Sequence, residues 1–204
     1  MNIEEKLKAA GIELPVAASP AANYIPYTKT GNLVFISGQI AQNADGPIIG
    51  KLGLNMGVED GYLAAKWCGI ALLAQLKDAC SNDWSKLKSA VRLGGFVNAT
   101  PDFKDHPKVI NGASDLLVDI LGVKGRHARA AVGSSSLPLG VAVEVDGIFE
   151  SSYVIPGPLA AVGAPAAACI NCSSSMDIWQ FLSKSTIYSN TFCSKPMMWL
   201  SQNG

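Results

Sequence analysis

Over the first 150 residues, the spacing of apolar side chains switches repeatedly between a period of two and a period near 3.6. A strand alternates its side chains between two faces and a helix repeats every 3.6 residues, so this chain must interleave sheet with helix. Residues 3–10 read as a short amphipathic helix that Gly11 ends. Residues 24–30 and 33–40 read as two strands joined by Gly31-Asn32, a hairpin signal. In the second strand Leu33, Phe35 and Ser37 share one face, and Val34 and Ile36 share the other. A long helix is expected over 58–79, with its apolar stripe at Leu63, Trp67, Ile70 and Ala74. Residues 88–97 alternate again, Val91, Leu93 and Val97 opposing Lys88 and Arg92. A second helix is expected over 106–121. Asp105 and Pro107 mark its start, Val109, Ala113, Leu116, Leu117 and Ile120 form its stripe, and Gly122 closes it. In the last strand Val141, Val143 and Val145 alternate with Ala142, Glu144 and Asp146.

The expected order is β-β-α-β-α-β-β, an α+β sheet with two helices on one face. The other face carries both apolar and charged residues and needs a cover. Further copies of the same chain would supply one, and would leave clefts between subunits for polar groups.

Charge narrows the choice of partners. The 16 basic and 16 acidic residues cancel and the sequence pI is about 6.7. Nucleic acid and anionic membranes both reward clustered positive charge, so neither is expected as a partner. Five irregularly spaced cysteines do not make a disulfide framework, and Cys68 and Cys80 read as buried thiols. The start, MNIEEKLKAAGIEL, is acidic from position 4 and resembles no targeting peptide, and no run of about 18 apolar residues occurs. A cytoplasmic, reducing setting is therefore expected. Past residue 150 the character changes: only Asp177, Lys184 and Lys195 are charged. Residues 151–204 read as a low-charge, poorly ordered extension of a domain spanning 1–150. Within that extension Cys169 and Cys172 form half of a metal or redox motif that no second pair completes. Gly94-Gly95 reads as a point of close packing or a bulge.

Two separated segments carry a resemblance. The stretch YIPYTKTGNLVFISGQI, Tyr24 to Ile40, resembles the YSxxxxxGxxxFxSGQI signature of the RidA (YjgF/YER057c/UK114) family. The stretch RHARAAVGSSSLPLGVAVEVDGI, Arg126 to Ile148, resembles that family's second signature, ARSxVxxxxLPxxxxVEIEAI. Between them, GFVNATPDFKDHPKVINGASDLL is similar to the family's intervening strand, loop and helix. The wording GFVNATPDF and GRHARAAVG resembles a divergent branch that bears the name L-PSP-like endoribonuclease. The resemblance covers roughly residues 5–150. It implies a chorismate-mutase-like fold and a homotrimer with sites at subunit interfaces. It also implies hydrolysis of reactive 2-imino or 2-enamino acids to 2-keto acids and ammonia, without metal or organic cofactor.

On that resemblance Arg129 grips the substrate carboxylate, for which a guanidinium fork is suited by shape and charge. Its alternative is a structural ion pair with Glu144 or Asp146. Glu144 falls where the family positions the attacking water, and a partly buried carboxyl with a raised pKa suits that duty. Tyr24 walls the pocket, and Ser37 and Gly38 form the SGQ turn, where glycine lets backbone approach a ligand closely. Asn111 matches a family asparagine near the site or serves a helix surface. Ala131 stands where the family often has cysteine, so its backbone carbonyl is left to contact the ligand. His127 is read as a loop or interface residue, with a general acid as the alternative. Two other functions stay open: a non-enzymatic acid-binding or chaperone-like trimer, and an endoribonuclease.

Overall fold

The computed structural model describes residues 1–17 and 24–152. The expected extension lies, from residue 153 on, outside the described residues, as do Cys169 and Cys172.

A short helix, α1 (Ile3–Ala9), starts with a capping box: the Asn2 carboxamide oxygen accepts from the Glu5 N–H, and the Glu5 carboxylate accepts from the Asn2 N–H. Gly11, at φ +65°, turns the chain out of it. β1 (Tyr27–Thr30) and β2 (Leu33–Ile40) form the expected hairpin, with Gly31 at φ +55°. β1 begins at Tyr27 rather than Tyr24, since Pro26 has no N–H for a ladder. Two-residue strands β3 (Gln42–Asn43) and β4 (Gly46–Pro47) make a minor hairpin before α2 (Val58–Ala79). β5 (Leu87–Asn98), α3 (His106–Leu121), β6 (Ala128–Ser134) and β7 (Val143–Ser151) complete the series. The main sheet runs β1-β2-β7-β5-β6. Only β5 and β6 pair in parallel, because α3 crosses between them; the other neighbours are antiparallel. Both long helices lie on one face, α2 over β2 and β7, and α3 over β5 and β6.

The core fills the space between helices and sheet. Val34, Ile36, Leu93, Val97, Val143, Val145 and Phe149 rise from the strands to meet Leu72, Leu73, Leu76, Ile110, Leu117 and Ile120. The α3 stripe is the expected one. The α2 stripe holds at Ile70 and Ala74 but not at Leu63, which is 55% exposed, or Trp67, 36% exposed. Ala64, Ala65, Cys68, Leu72, Leu73 and Leu76 are buried in their stead. The reason is close helix packing on small residues. A side chain at Gly61 or Gly69 would strike Val109 or Leu116, and a Cβ at Gly112 would lie 1.9 Å from the Tyr62 carbonyl oxygen. The helix therefore turns its small residues inward and leaves two large ones outside. Val91 departs likewise, because a bulge between Ala90 and Arg92 puts buried Ala90 on the inner face. Gly94 and Gly95 are sites of close packing, under the Asp146 carboxylate and the Ile110 side chain respectively. Cys68 and Cys80 are buried, and burial raises both thiols above their ordinary range, so neither is a ready nucleophile.

Candidate functional site

The residues expected to share a site fall into two groups on opposite faces of the sheet. β6 is an edge strand, and Arg129, paired with buried Leu93, points from it toward the helices. There the guanidinium lies against α3. Its Nη1 donates to the Asn111 Oδ1 at 2.9 Å and to the Ser114 Oγ at 2.9 Å, while Nη2 donates to the Pro107 carbonyl at 3.3 Å. Positions 107, 111 and 114 follow one another along a single helix face, which is why three acceptors converge on one side chain. All three are neutral, and Arg129 forms no ion pair among the described residues. The alternative of a structural pair with Glu144 or Asp146 is thus not realised. Ala131, two residues on, shares this side of β6 and packs against the core.

The second group lies on the open face. Glu144 is paired with Phe96 and Ile40, and a register shift in β2 between Ile36 and Gln39 brings Gly38 beneath it. A Cβ at position 38 would fall 2.0 Å from the Glu144 Oε1, so only glycine leaves room for the carboxylate. Burial holds the Glu144 carboxyl above the usual carboxylate range, and the neighbouring Asp146 charge adds to the rise. Asp146 is the structural acid of the two: it accepts from the Gly94 N–H at 3.1 Å and meets Arg92 at 3.6 Å.

Ser37 opens the same bulge. Its hydroxyl donates to the Ile25 carbonyl at 2.9 Å and its N–H donates to the Pro26 carbonyl at 2.9 Å, tying the Tyr24–Pro26 segment to β2. The serine thus spends its proton on this loop. Tyr24, Ile25, Thr28, Phe35, Ile36 and Ser37 surround an open hollow of about 470 Å³.

Two strand spacings, about 10 Å, and the thickness of the sheet separate Arg129 from Glu144. No molecule of a few carbon atoms bridges them within one copy. The structure joins Arg129 with Asn111, Glu144 with Gly38, and Ser37 with the Tyr24 hollow, but does not join the Arg129 and Glu144 groups.

Reading from sequence alone missed Ser114. Its signal lies in two short spacings: Asn111 and Ser114 stand three apart on α3, and His127, just before β6, stands two from Arg129. Both spacings put a pair on one face. The His127 Nε2 lies 3.0 Å from the Ser114 Oγ, and its Nδ1 lies 2.6 Å from the Gly125 carbonyl.

Comparison with known proteins identifies the family. Residues 4–149 match the family described as "YjgF/chorismate mutase-like, putative endoribonuclease". The chain is 41% identical over 151 residues to protein TCP17 of Trypanosoma cruzi, covering 73% of this chain and 94% of that one. Among solved structures it is similar to Atu1372 of Agrobacterium tumefaciens, a protein of unknown function, with 43% identity and a TM-score of 0.69 over 74% of this chain and 93% of the other. A "putative endoribonuclease" of Shewanella oneidensis is similar at 37% identity and a TM-score of 0.70, over 74% and 99% of the two chains. By its family match, its relatives and its fold, the chain belongs to the YjgF/chorismate mutase-like family.

Proposed function

We propose that the protein hydrolyses small 2-imino or 2-enamino acids to 2-keto acids and ammonia, in clefts formed where copies of the chain meet in a homotrimer. The observation that carries this reading is the half-buried Arg129 guanidinium surrounded by neutral acceptors alone. A cation withdrawn from water without a counter-ion is costly, and a ligand carboxylate would offset that cost. The complementary group, an acid with a raised pKa over a glycine, lies on the opposite face of the same chain. A second copy laid against the first would bring its Glu144 face to the Arg129 edge.

In such a cleft Arg129 holds the carboxylate, and Asn111 orients the guanidinium. Glu144 from the neighbouring copy holds a water against the imine carbon. The water oxygen bonds to that carbon as one of its protons passes through Glu144 to nitrogen; the second then follows the same route from the new hydroxyl, and ammonia leaves as the carbonyl forms. An enamine first takes a proton on carbon to become the imine. Tyr24 and the hollow beside it bound the substrate's short side chain. No metal or organic cofactor takes part in this scheme.

The test is keto-acid release from iminopyruvate or 2-aminoacrylate, generated in the assay by a serine dehydratase. Release above the rate in buffer that is lost in Arg129→Ala supports the proposal. Release at the buffer rate overturns it. RNA cleavage that is lost in the same variant would favour the activity in the family's description. The balanced charge of the chain argues against that outcome, since a phosphate backbone rewards clustered cations.

A further inference from the structure

We infer that Ser114 and His127 are positioning residues that make Arg129 selective for a carboxylate over a phosphate; the inference rests on the carboxylate-binding role proposed for Arg129. The chain of contacts fixes its own polarity. The Gly125 carbonyl can only accept, so the His127 Nδ1, 2.6 Å away, carries the proton of the neutral ring. Nε2 is then an acceptor, and the Ser114 hydroxyl, 3.0 Å away, donates to it. With its proton committed, Ser114 turns lone pairs toward Arg129 Nη1 at 2.9 Å. Asn111 Oδ1 takes the other Nη1 hydrogen, also at 2.9 Å.

A guanidinium has five N–H bonds arranged along its edges. With both Nη1 hydrogens taken, the Nε–Nη2 edge is the one from which a planar group can draw two parallel hydrogen bonds. The contact of Nη2 with the Pro107 carbonyl is longer, at 3.3 Å. A carboxylate fits that edge with both oxygens in the guanidinium plane. A phosphate brings further oxygens out of the plane, and with three of the five N–H bonds committed to Asn111, Ser114 and Pro107 none is left to receive them. An anion oxygen drawn from water without a donor is costly, so the committed N–H bonds discriminate by shape and by hydrogen-bond count. His127 contributes by keeping the Ser114 rotor in the accepting orientation. Without it the hydroxyl is free to rotate toward a carbonyl of its own helix.

Calorimetric titration of the full chain with pyruvate, pyruvamide and inorganic phosphate tests this, with thermal unfolding measured alongside. The unaltered protein is expected to bind pyruvate in preference to both other probes. Ser114→Ala and His127→Asn should each weaken pyruvate binding about tenfold, the scale of one lost charge-assisted hydrogen bond, and narrow the preference over phosphate. Ser114→Thr keeps the hydroxyl, and His127→Gln places an amide oxygen near the lost Nε2, so both should recover most of the affinity. In turnover the first two variants should raise KM and leave kcat nearly unchanged. Where Ser114→Ala fails to fold, the contrast between His127→Asn and His127→Gln carries the test. Equal affinity of the unaltered protein for pyruvate and phosphate would overturn the inference. So would unchanged pyruvate affinity and selectivity in Ser114→Ala and His127→Asn, where Arg129→Ala still abolishes binding; the carboxylate role of Arg129 would then stand. Undiminished pyruvate binding in Arg129→Ala would overturn that role itself.

Discussion

The edge around Arg129 and the face around Glu144 are built on opposite electrostatic plans. Arg129 is a charged group given only neutral partners, on the strand that ends the sheet. Glu144 is an acid placed beside another acid, inside the sheet, over a glycine that makes space for it. Asp146, one pleat away, shows how the same strand satisfies a carboxylate when only structure is at stake: it takes a backbone N–H and an arginine. Each of the two groups therefore lacks what the other has. On the function proposed above, a single copy carries two half-sites, and the cost of leaving each incomplete is borne by the fold.

The largest effect should come from removing the cation. Arg129→Ala is expected to lower kcat/KM for an imino acid about 1,000-fold, roughly 4 kcal/mol of lost stabilisation of a charged group. Steady-state kinetics with coupled keto-acid detection would show it. Retained activity would break the comparison at its first member. Glu144→Gln should cost about 100-fold, at the lower end of what a positioned acid or base contributes. Mixing the two inactive variants sharpens the point further. If each site takes its arginine from one copy and its acid from the next, random reassembly restores one intact site in four, about a quarter of the original activity. No recovery after subunit exchange, verified by mass, would place both half-sites in separate roles.

Gly38→Ala is a gentler probe. The new methyl would displace the far end of the Glu144 side chain rather than backbone, so the fold should persist while activity falls by about three- to tenfold. Pyruvate binding at the Arg129 edge should be little changed. The smallest effect is on stability. Burial and Asp146 raise the Glu144 carboxyl in the folded protein, so the fold binds that proton more tightly than the open chain does. Stability attributable to this group therefore falls as pH rises through the carboxylate range, and the cost is absent below it. Glu144→Gln should unfold at a higher temperature than the parent at neutral pH, and at the same temperature in acid.

Much of this was legible before any coordinates. The hairpin at Gly31, the bounds of α2 and α3 and the faces of β2 follow from local pattern, because backbone freedom at glycine and the two periods act over a few residues. What failed was the N-terminal half of the α2 stripe, Leu63 and Trp67, while Ile70 and Ala74 are buried as expected. Periodicity weights large apolar side chains, and here small ones face the partner helix because Gly61, Gly69 and Gly112 let the axes approach. The bulges at Ala90 and Gly38 were also invisible, since an extra residue in a strand leaves no compositional trace. Arg129, Asn111, Glu144 and Gly38 emerged through resemblance to a family. Their division between two faces follows only from register: Arg129 pairs with Leu93 and Glu144 with Phe96, three positions apart on β5. Ser114 escaped because a serine within a helix carries no signature until a strand is laid beside it.

The tight seat of α3 on α2 has a consequence for how this groove can change. A Cβ at Gly112 would overlap the Tyr62 carbonyl, so the two helices have no slack along their contact. The edge around Arg129 is thereby pinned to the rest of the molecule, and a ligand of the kind proposed would find it already shaped. New chemistry at this edge would have to arrive by exchanging the side chains at 111, 114, 127 or 129, one at a time, rather than by sliding the helix that bears them.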